Sequence, residues 1–194
     1  NRGELFNSPD MYGIKTIVGN KYKGAGVTAN QSVTHNLKLM AEHALKNKCM
    51  KATHQDIRSE IQTMKVLTLD RSRHKNLAET ISNLGATTIL VKDDDLTPTF
   101  AAVRNEIDLI VGVGGVPEAV LSGIIVEQLG GEMSLRILPK EVALDELLIK
   151  KRKNWEYFRK NEIDTLRNFK IVRPKKKKKD EMPWNKTLSS KDLA

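Results

Sequence analysis

Residues 107–137 read IDLIVGVGGVPEAVLSGIIVEQLGGEMSLRI. The apolar run at 109–113 is short and unbroken, the pattern of a strand buried on both faces. Gly112, Gly114 and Gly115 interrupt it and predict a tight turn or a close backbone approach, since glycine carries no Cβ. Pro117 stands at the expected first position of a helix, where its missing N–H costs nothing. Glu118 falls in that first turn, where a carboxylate meets the positive end of the helix dipole. Val120, Ile124, Ile125 and Leu129 repeat at helical spacing, and Gly130 with Gly131 stops the helix. Strand, glycine turn, helix and glycine stop form one α/β unit. In open α/β sheets ligands bind beyond the carboxyl ends of strands, so Glu118 is expected to face such a crevice.

The rest of the chain repeats this alternation. Strands are expected at 12–18, 66–69, 87–91, 109–113 and 134–138. Helices are expected at 32–47, at 56–64, through Leu84 to a stop at Gly85, and at 97–105. The order predicts an α/β fold with a mostly parallel sheet flanked by helices, followed by a basic C-terminal extension. Arg71 and Arg73 follow the strand at 66–69 beside a helix start, the arrangement of a phosphate clamp, although arginines at helix starts are also common on surfaces. Asp93, Asp94 and Asp95 follow the strand at 87–91; adjacent acids bind cations, but more often form a solvated turn with a helix cap. His35, His43 and His54 have no metal-ligand spacing with one another or with Cys49, the single cysteine, so a cysteine-based metal site and an intramolecular disulfide are excluded.

Charge divides the chain at residue 150. Residues 151–194 hold 15 Lys and Arg against 6 Asp and Glu, which equals the net +9 of the whole chain, while residues 1–150 balance 18 against 18. The expected division is an α/β domain at 1–150 and a basic tail at 151–194. In the tail, Arg173 precedes Lys175, Lys176, Lys177, Lys178 and Lys179. Five adjacent lysines do not pack; they solvate, or they contact phosphates. RNA is the expected partner, together with neighbouring proteins of a large assembly. A membrane is not expected, because no amphipathic helix with bulky apolar residues accompanies the lysines. The chain begins at Asn1 without a visible signal or transit peptide, which fits either a processed or a late start.

The segment Gly114-Gly115-Val116-Pro117-Glu118-Ala119, with Gly130-Gly131-Glu132-Met133 after its helix, resembles class II fructose-1,6-bisphosphatases, the bacterial and plastid type whose relatives also act on sedoheptulose bisphosphate. That family carries G-G-x-P-E-G and then G-G-E-M/F. Its Y-M-x-K-x-x-x-G segment is matched by Tyr12, Lys15 and Gly19, its L-D-[K/R]-P-R-H by Leu69 to His74, and its D-G-D by Asp93 and Asp95. The resemblance implies substrate contacts at Tyr12, Arg71, Arg73, Asp93, Asp95, Gly114 and Gly115, and a metal contact at Glu118. Three positions depart from the pattern: Ser72 replaces proline, while Asp94 and Ala119 replace glycines.

The family's metal-binding D-P-x-E-G-T motif is not found in these 194 residues, nor is its closing T-G-I-T. One carboxylate does not hold a two- or three-ion site, so this chain alone is not expected to hydrolyse a bisphosphate, and no catalytic residue is assigned. The expectation is a repurposed, non-catalytic subunit of a ribonucleoprotein assembly such as the mitochondrial ribosome, in an organelle matrix, with no cofactor. The first alternative is a bisphosphatase whose metal-binding half lies elsewhere, with Mg or Mn as cofactor and the cytoplasm as another compartment. The second is a sensor that binds sugar phosphate, a remnant ligand, without chemistry.

Overall fold

The computed structural model describes residues 11–49, 52–93, 96–138 and 188–189. Strand β1 is Tyr12–Val18, followed by α1 Val33–Asn47, α2 His54–Gln62 and β2 Lys65–Leu69. Then come α3 Lys75–Asn83, β3 Thr87–Val91, α4 Leu96–Val103, β4 Leu109–Gly115, α5 Val116–Leu129, β5 Glu132–Leu138 and β6 Leu188–Ser189. The sheet order is β3-β2-β4-β1-β5-β6. The fold is α/β, as the alternation requires.

The sheet is mixed. Strands β3, β2 and β4 are parallel neighbours, while β1 runs antiparallel between β4 and β5. Its register sets Tyr12 opposite both Gly115 and Leu138, and Ile17 opposite both Ile110 and Met133. A strand buried on both faces has the same apolar pattern in either direction, so the inverted strand is invisible in composition. Residues 188–189 form the short edge strand β6. They pair antiparallel with Ser134 and Leu135, returning the end of the chain to the sheet.

Helices cover both faces. On one, Leu37, Met40 and Ala41 of α1 pack with Ile61 and Ile81 over Val66, Leu109 and Val111. On the other, Ala102 and Val103 of α4 and Ala119, Val120 and Val126 of α5 pack over Ile17, Leu67, Ile110 and Leu135. Local chemistry sets the helix ends. Ser32 caps α1 by accepting from the His35 amide at 3.2 Å. Helix α2 starts two residues before the expected Asp56, because Thr53 and Asp56 form a reciprocal capping box. Gly130 and Gly131 stop α5 with φ of 88° and 118°, where a Cβ is costly.

The ends of β1 and β4 opposite the crevice described below are tied by polar side chains. Asp108 accepts from Lys21 Nζ at 3.1 Å and from the Lys65 amide at 2.8 Å. The Lys21 ammonium lies 4.7 Å from the centroid of the buried Tyr22 ring. Burial pushes the Tyr22 phenol up from 10.0 to about 12. For Lys21, burial opposes the charge, but Tyr22 and Asp108 outweigh it and raise the ammonium above its ordinary 10.5.

Both groups hold their protons more tightly when folded; the Tyr22 contribution is complete below pH 10.0 and is lost as pH rises toward about 12, and that of Lys21 is lost as pH rises above its ordinary 10.5. An ultraviolet titration with parallel unfolding measurements should find one tyrosine ionising near the upper value as stability falls. Tyr22→Phe should flatten that loss. In the core, Leu109 is 0% exposed, and Leu109→Ala should cost about 2–5 kcal/mol by urea unfolding.

Candidate functional site

Strands β2 and β4 are parallel neighbours, yet the chain leaves them for opposite faces, through α3 after β2 and through α5 after β4. That is a topological switch point, where a crevice opens at the strand carboxyl ends. Of the tight turn and the close approach that the sequence allowed, the glycines beside it supply the second and not the first. Gly114 and Gly115 continue β4 as partners of Gly13 and Tyr12, and Gly115 has φ −66° and ψ 142°. The strand runs directly into α5. Here glycine serves close approach: a Cβ on Gly115 would lie 3.1 Å from Glu118 Oε2, and one on Gly112 would lie 3.1 Å from His74 Cε1. The Glu118 carboxylate thus lies over the N-terminus of its own helix, a favourable place for negative charge.

After β2 the chain makes a short 3-10 turn at Ser72–His74. Arg73 Nη2 donates to the Val113 carbonyl at 2.9 Å, which places its guanidinium at the end of β4. Its Nε is buried and has no hydrogen-bond partner among the described residues. Arg71 points outward instead, toward β3, where its Nη2 lies 3.4 Å from Asp93 Oδ1. Both side chains are exposed, so this pair contributes little to stability. Tyr12 is half-buried, packs near Val113 and Leu138, and stands opposite Gly115.

Arg73, Tyr12, Gly114, Gly115 and Glu118 therefore border the tip of β4, while Arg71 and Asp93 sit at the neighbouring strand ends. Asp95, Arg173, Lys175, Lys176, Lys177, Lys178 and Lys179 lie outside the described residues. A cleft of about 690 Å³ flanks the arginine turn on its outer side, between α3 and β3, with Arg71, Ser72, Lys75, Glu79 and Leu90 in its lining.

The residue that sequence reasoning passed over is His74. It is 2% exposed; its Nδ1 lies 3.0 Å from the Leu69 carbonyl, and its Nε2 accepts from the Val113 amide at 2.9 Å. The signal was its place at the end of the Asp-Arg-Ser-Arg-His run, where only the two arginines were given a role.

Whether these residues form a metal centre is a matter of donor count. A hard divalent cation takes six or more oxygen ligands. Among the described residues no group of three His, Cys, Asp or Glu side chains is close enough to hold one. Glu118 supplies one carboxylate; the described residues alone do not fit a metal pair.

A family model described as bacterial fructose-1,6-bisphosphatase, glpX-encoded, matches residues 1–177. The match continues past residue 150, into the basic tail. A fructose-1,6-bisphosphatase class 2 of Haemophilus influenzae is 28% identical over 141 residues, covering 72% of this chain and 38% of the relative. A D-fructose 1,6-bisphosphatase class 2/sedoheptulose 1,7-bisphosphatase of Crocosphaera subtropica is 30% identical over 139 residues, covering 71% of this chain and 36% of the relative. Fructose-1,6-bisphosphatase 1 class 2 of Escherichia coli is 28% identical over 141 residues, with coverage of 72% and 38%. The chain thus spans little more than a third of the length of these curated relatives.

The packing beneath the crevice can be probed at Gly112. A Cβ there would meet His74 Cε1 at 3.1 Å and Thr68 Oγ1 at 3.3 Å, both buried and enclosed. Gly112→Ala should cost about 1–3 kcal/mol in denaturant unfolding by overpacking. Gly24→Ala meets no atom within 4 Å, but it has φ of 80°, so its cost would be backbone strain alone.

Proposed function

The chain belongs to the bacterial class 2 fructose-1,6-bisphosphatase family, and from that premise we propose that its sheet is the sugar-phosphate-binding portion of such an enzyme. The observation that carries the proposal is the convergence of Arg73, Tyr12, Gly114, Gly115 and Glu118 on the tip of β4. A guanidinium suits a phosphate because its rigid fork matches two phosphate oxygens. The N-terminus of α5 adds the Glu118 N–H, since the Met11 carbonyl takes the Val116 N–H at 2.8 Å, Pro117 has no N–H and Gly115 provides no side-chain cap. Arg71 and Asp93 extend the same edge toward a second phosphate or the sugar hydroxyls; the resemblance adds Asp95, which lies outside the described residues. Glu118 presents one carboxylate to a Mg or Mn ion whose other ligands come from outside the described residues. Taken by themselves, the described residues bind and orient; they do not cleave. The cytoplasm fits this reading.

A second reading rests on charge. The net +9 of the chain is equal to the excess carried by residues 151–194. On this reading the chain is a non-catalytic subunit of a ribonucleoprotein, such as a mitochondrial ribosome in the organelle matrix, and touches both RNA and protein neighbours. Arg173 and Lys175 to Lys179 would contact phosphates without reading sequence. A sensor that binds sugar phosphate without chemistry uses the first site alone.

Calorimetric titration with fructose 1,6-bisphosphate separates the readings. Saturable binding, weakened about tenfold or more by Arg73→Gln, is expected for a charge-assisted hydrogen bond. Absence of binding would remove the sugar-phosphate reading. Phosphate release by this chain alone with Mg or Mn would show that its own residues complete the metal site. For the second reading, replacing the five lysines with glutamines should flatten the salt dependence of RNA binding, by about 0.9 log units per log unit of salt for each duplex phosphate no longer neutralised.

A further inference from the structure

We infer that His74 is a positioning residue for Arg73, acting through Val113, an inference that rests on the sugar-phosphate reading of the crevice. The backbone ladder between β2 and β4 pairs Val66 with Leu109 and Leu67 with Ile110, and goes no further. Within a strand, the N–H and C=O of one residue point to the same side. Val113 therefore turns both polar groups toward the place that β2 has left. His74 takes the N–H through Nε2 at 2.9 Å, and Arg73 takes the carbonyl through Nη2 at 2.9 Å. Two consecutive side chains thus stand in for the missing strand.

The imidazole is itself anchored. Because Nε2 accepts, the ring proton sits on Nδ1, which donates to the Leu69 carbonyl at 3.0 Å. The ring is buried beside Gly112, where a side chain on the strand would collide with it. Leu69, His74, Val113 and Arg73 form a closed circuit that ties the end of β2 to the end of β4. The Val113 carbonyl is the one hydrogen-bond partner of the Arg73 guanidinium among the described residues. Losing the ring leaves the buried Val113 N–H unsatisfied. The strand tip then moves to find a partner and takes the arginine's anchor with it. His74 touches no ligand in this scheme; it sets where the Arg73 fork stands.

Two half-substitutions on the full chain separate the bonds. His74→Gln keeps an acceptor near the Nε2 position for Val113; His74→Asn keeps a donor near the Nδ1 position for Leu69. Two readouts are taken: hydrogen exchange of the Arg73 Nε–H by NMR, and calorimetric affinity for fructose 1,6-bisphosphate. His74→Asn should speed the exchange and weaken affinity by about tenfold or more, whereas His74→Gln should hold both within about threefold. A merely structural ring predicts that both variants lose stability alike while Arg73 exchange stays as in the wild type, and that result overturns the inference. If the wild type binds no fructose 1,6-bisphosphate, the sugar-phosphate reading fails, and Arg73 exchange alone decides the positioning role. If the variants do not fold, a through-hydrogen-bond coupling between the Val113 N–H and His74 Nε2 in the wild type decides: its presence supports the circuit and its absence refutes it.

Discussion

Beyond Leu67 and Ile110 the two central parallel strands part, and the polar groups exposed on β4 are met by side chains instead of backbone. The site depends on this one substitution. Each such hydrogen bond contributes about 0.5–1.5 kcal/mol when made, but an unmade buried donor costs about 1–3 kcal/mol. The turn at Ser72–His74 therefore cannot drift, and the arginine it carries stays at the strand tip. Glycine on β4 is the other half of the arrangement, because a Cβ on Gly112 or Gly115 would crowd the imidazole or the Glu118 carboxylate.

The two ends of the sheet are built differently. At the far end, Asp108 gathers Lys21 and the Lys65 backbone, and Asn105 takes the Lys21 amide at 3.1 Å. Over β5, the loop after β1 is held by Glu132 and Ser134, which accept from the amides of Gly24 and Ala29. These hydrogen bonds tie the loop and strand ends together, although the Tyr22 hydroxyl there is buried without a hydrogen-bond partner among the described residues. At the crevice end the Arg73 Nε is likewise buried without a hydrogen-bond partner among the described residues, but the Glu118 side chain is exposed.

Most of the fold was legible in the sequence because buried strands and amphipathic helices leave distinct periodicities. Strand β4 and helix α5 appear where the apolar run and the glycine stop set them. The antiparallel course of β1 was not legible, since Tyr12 to Val18 would read alike in either direction. Gly114 and Gly115 left turn and close approach undecided for a related reason: glycine is equally at home in a turn and in an extended strand pressed against a side chain. Part of the candidate site was legible as residue types, with Arg71 and Arg73 expected as a pair. The structure divides them, Arg73 to the tip of β4 and Arg71 out toward Asp93. His74 was hidden because a histidine after a strand has no pattern of its own; only the parting of two strands distant in sequence gives it a task. Asp95 and the lysine run lie outside the described residues.

The central claim is that the tip of β4 and the arginine turn form one anion-binding crevice. Chemical-shift mapping with fructose 1,6-bisphosphate tests it most directly. The account predicts that the amides of Asp70 to His74 and of Val113 to Glu118 shift together on a single saturation curve, while those around Lys21 and Asp108 stay still. Shifts confined to the far end, or to the basic tail, with the β4 tip unmoved would contradict it.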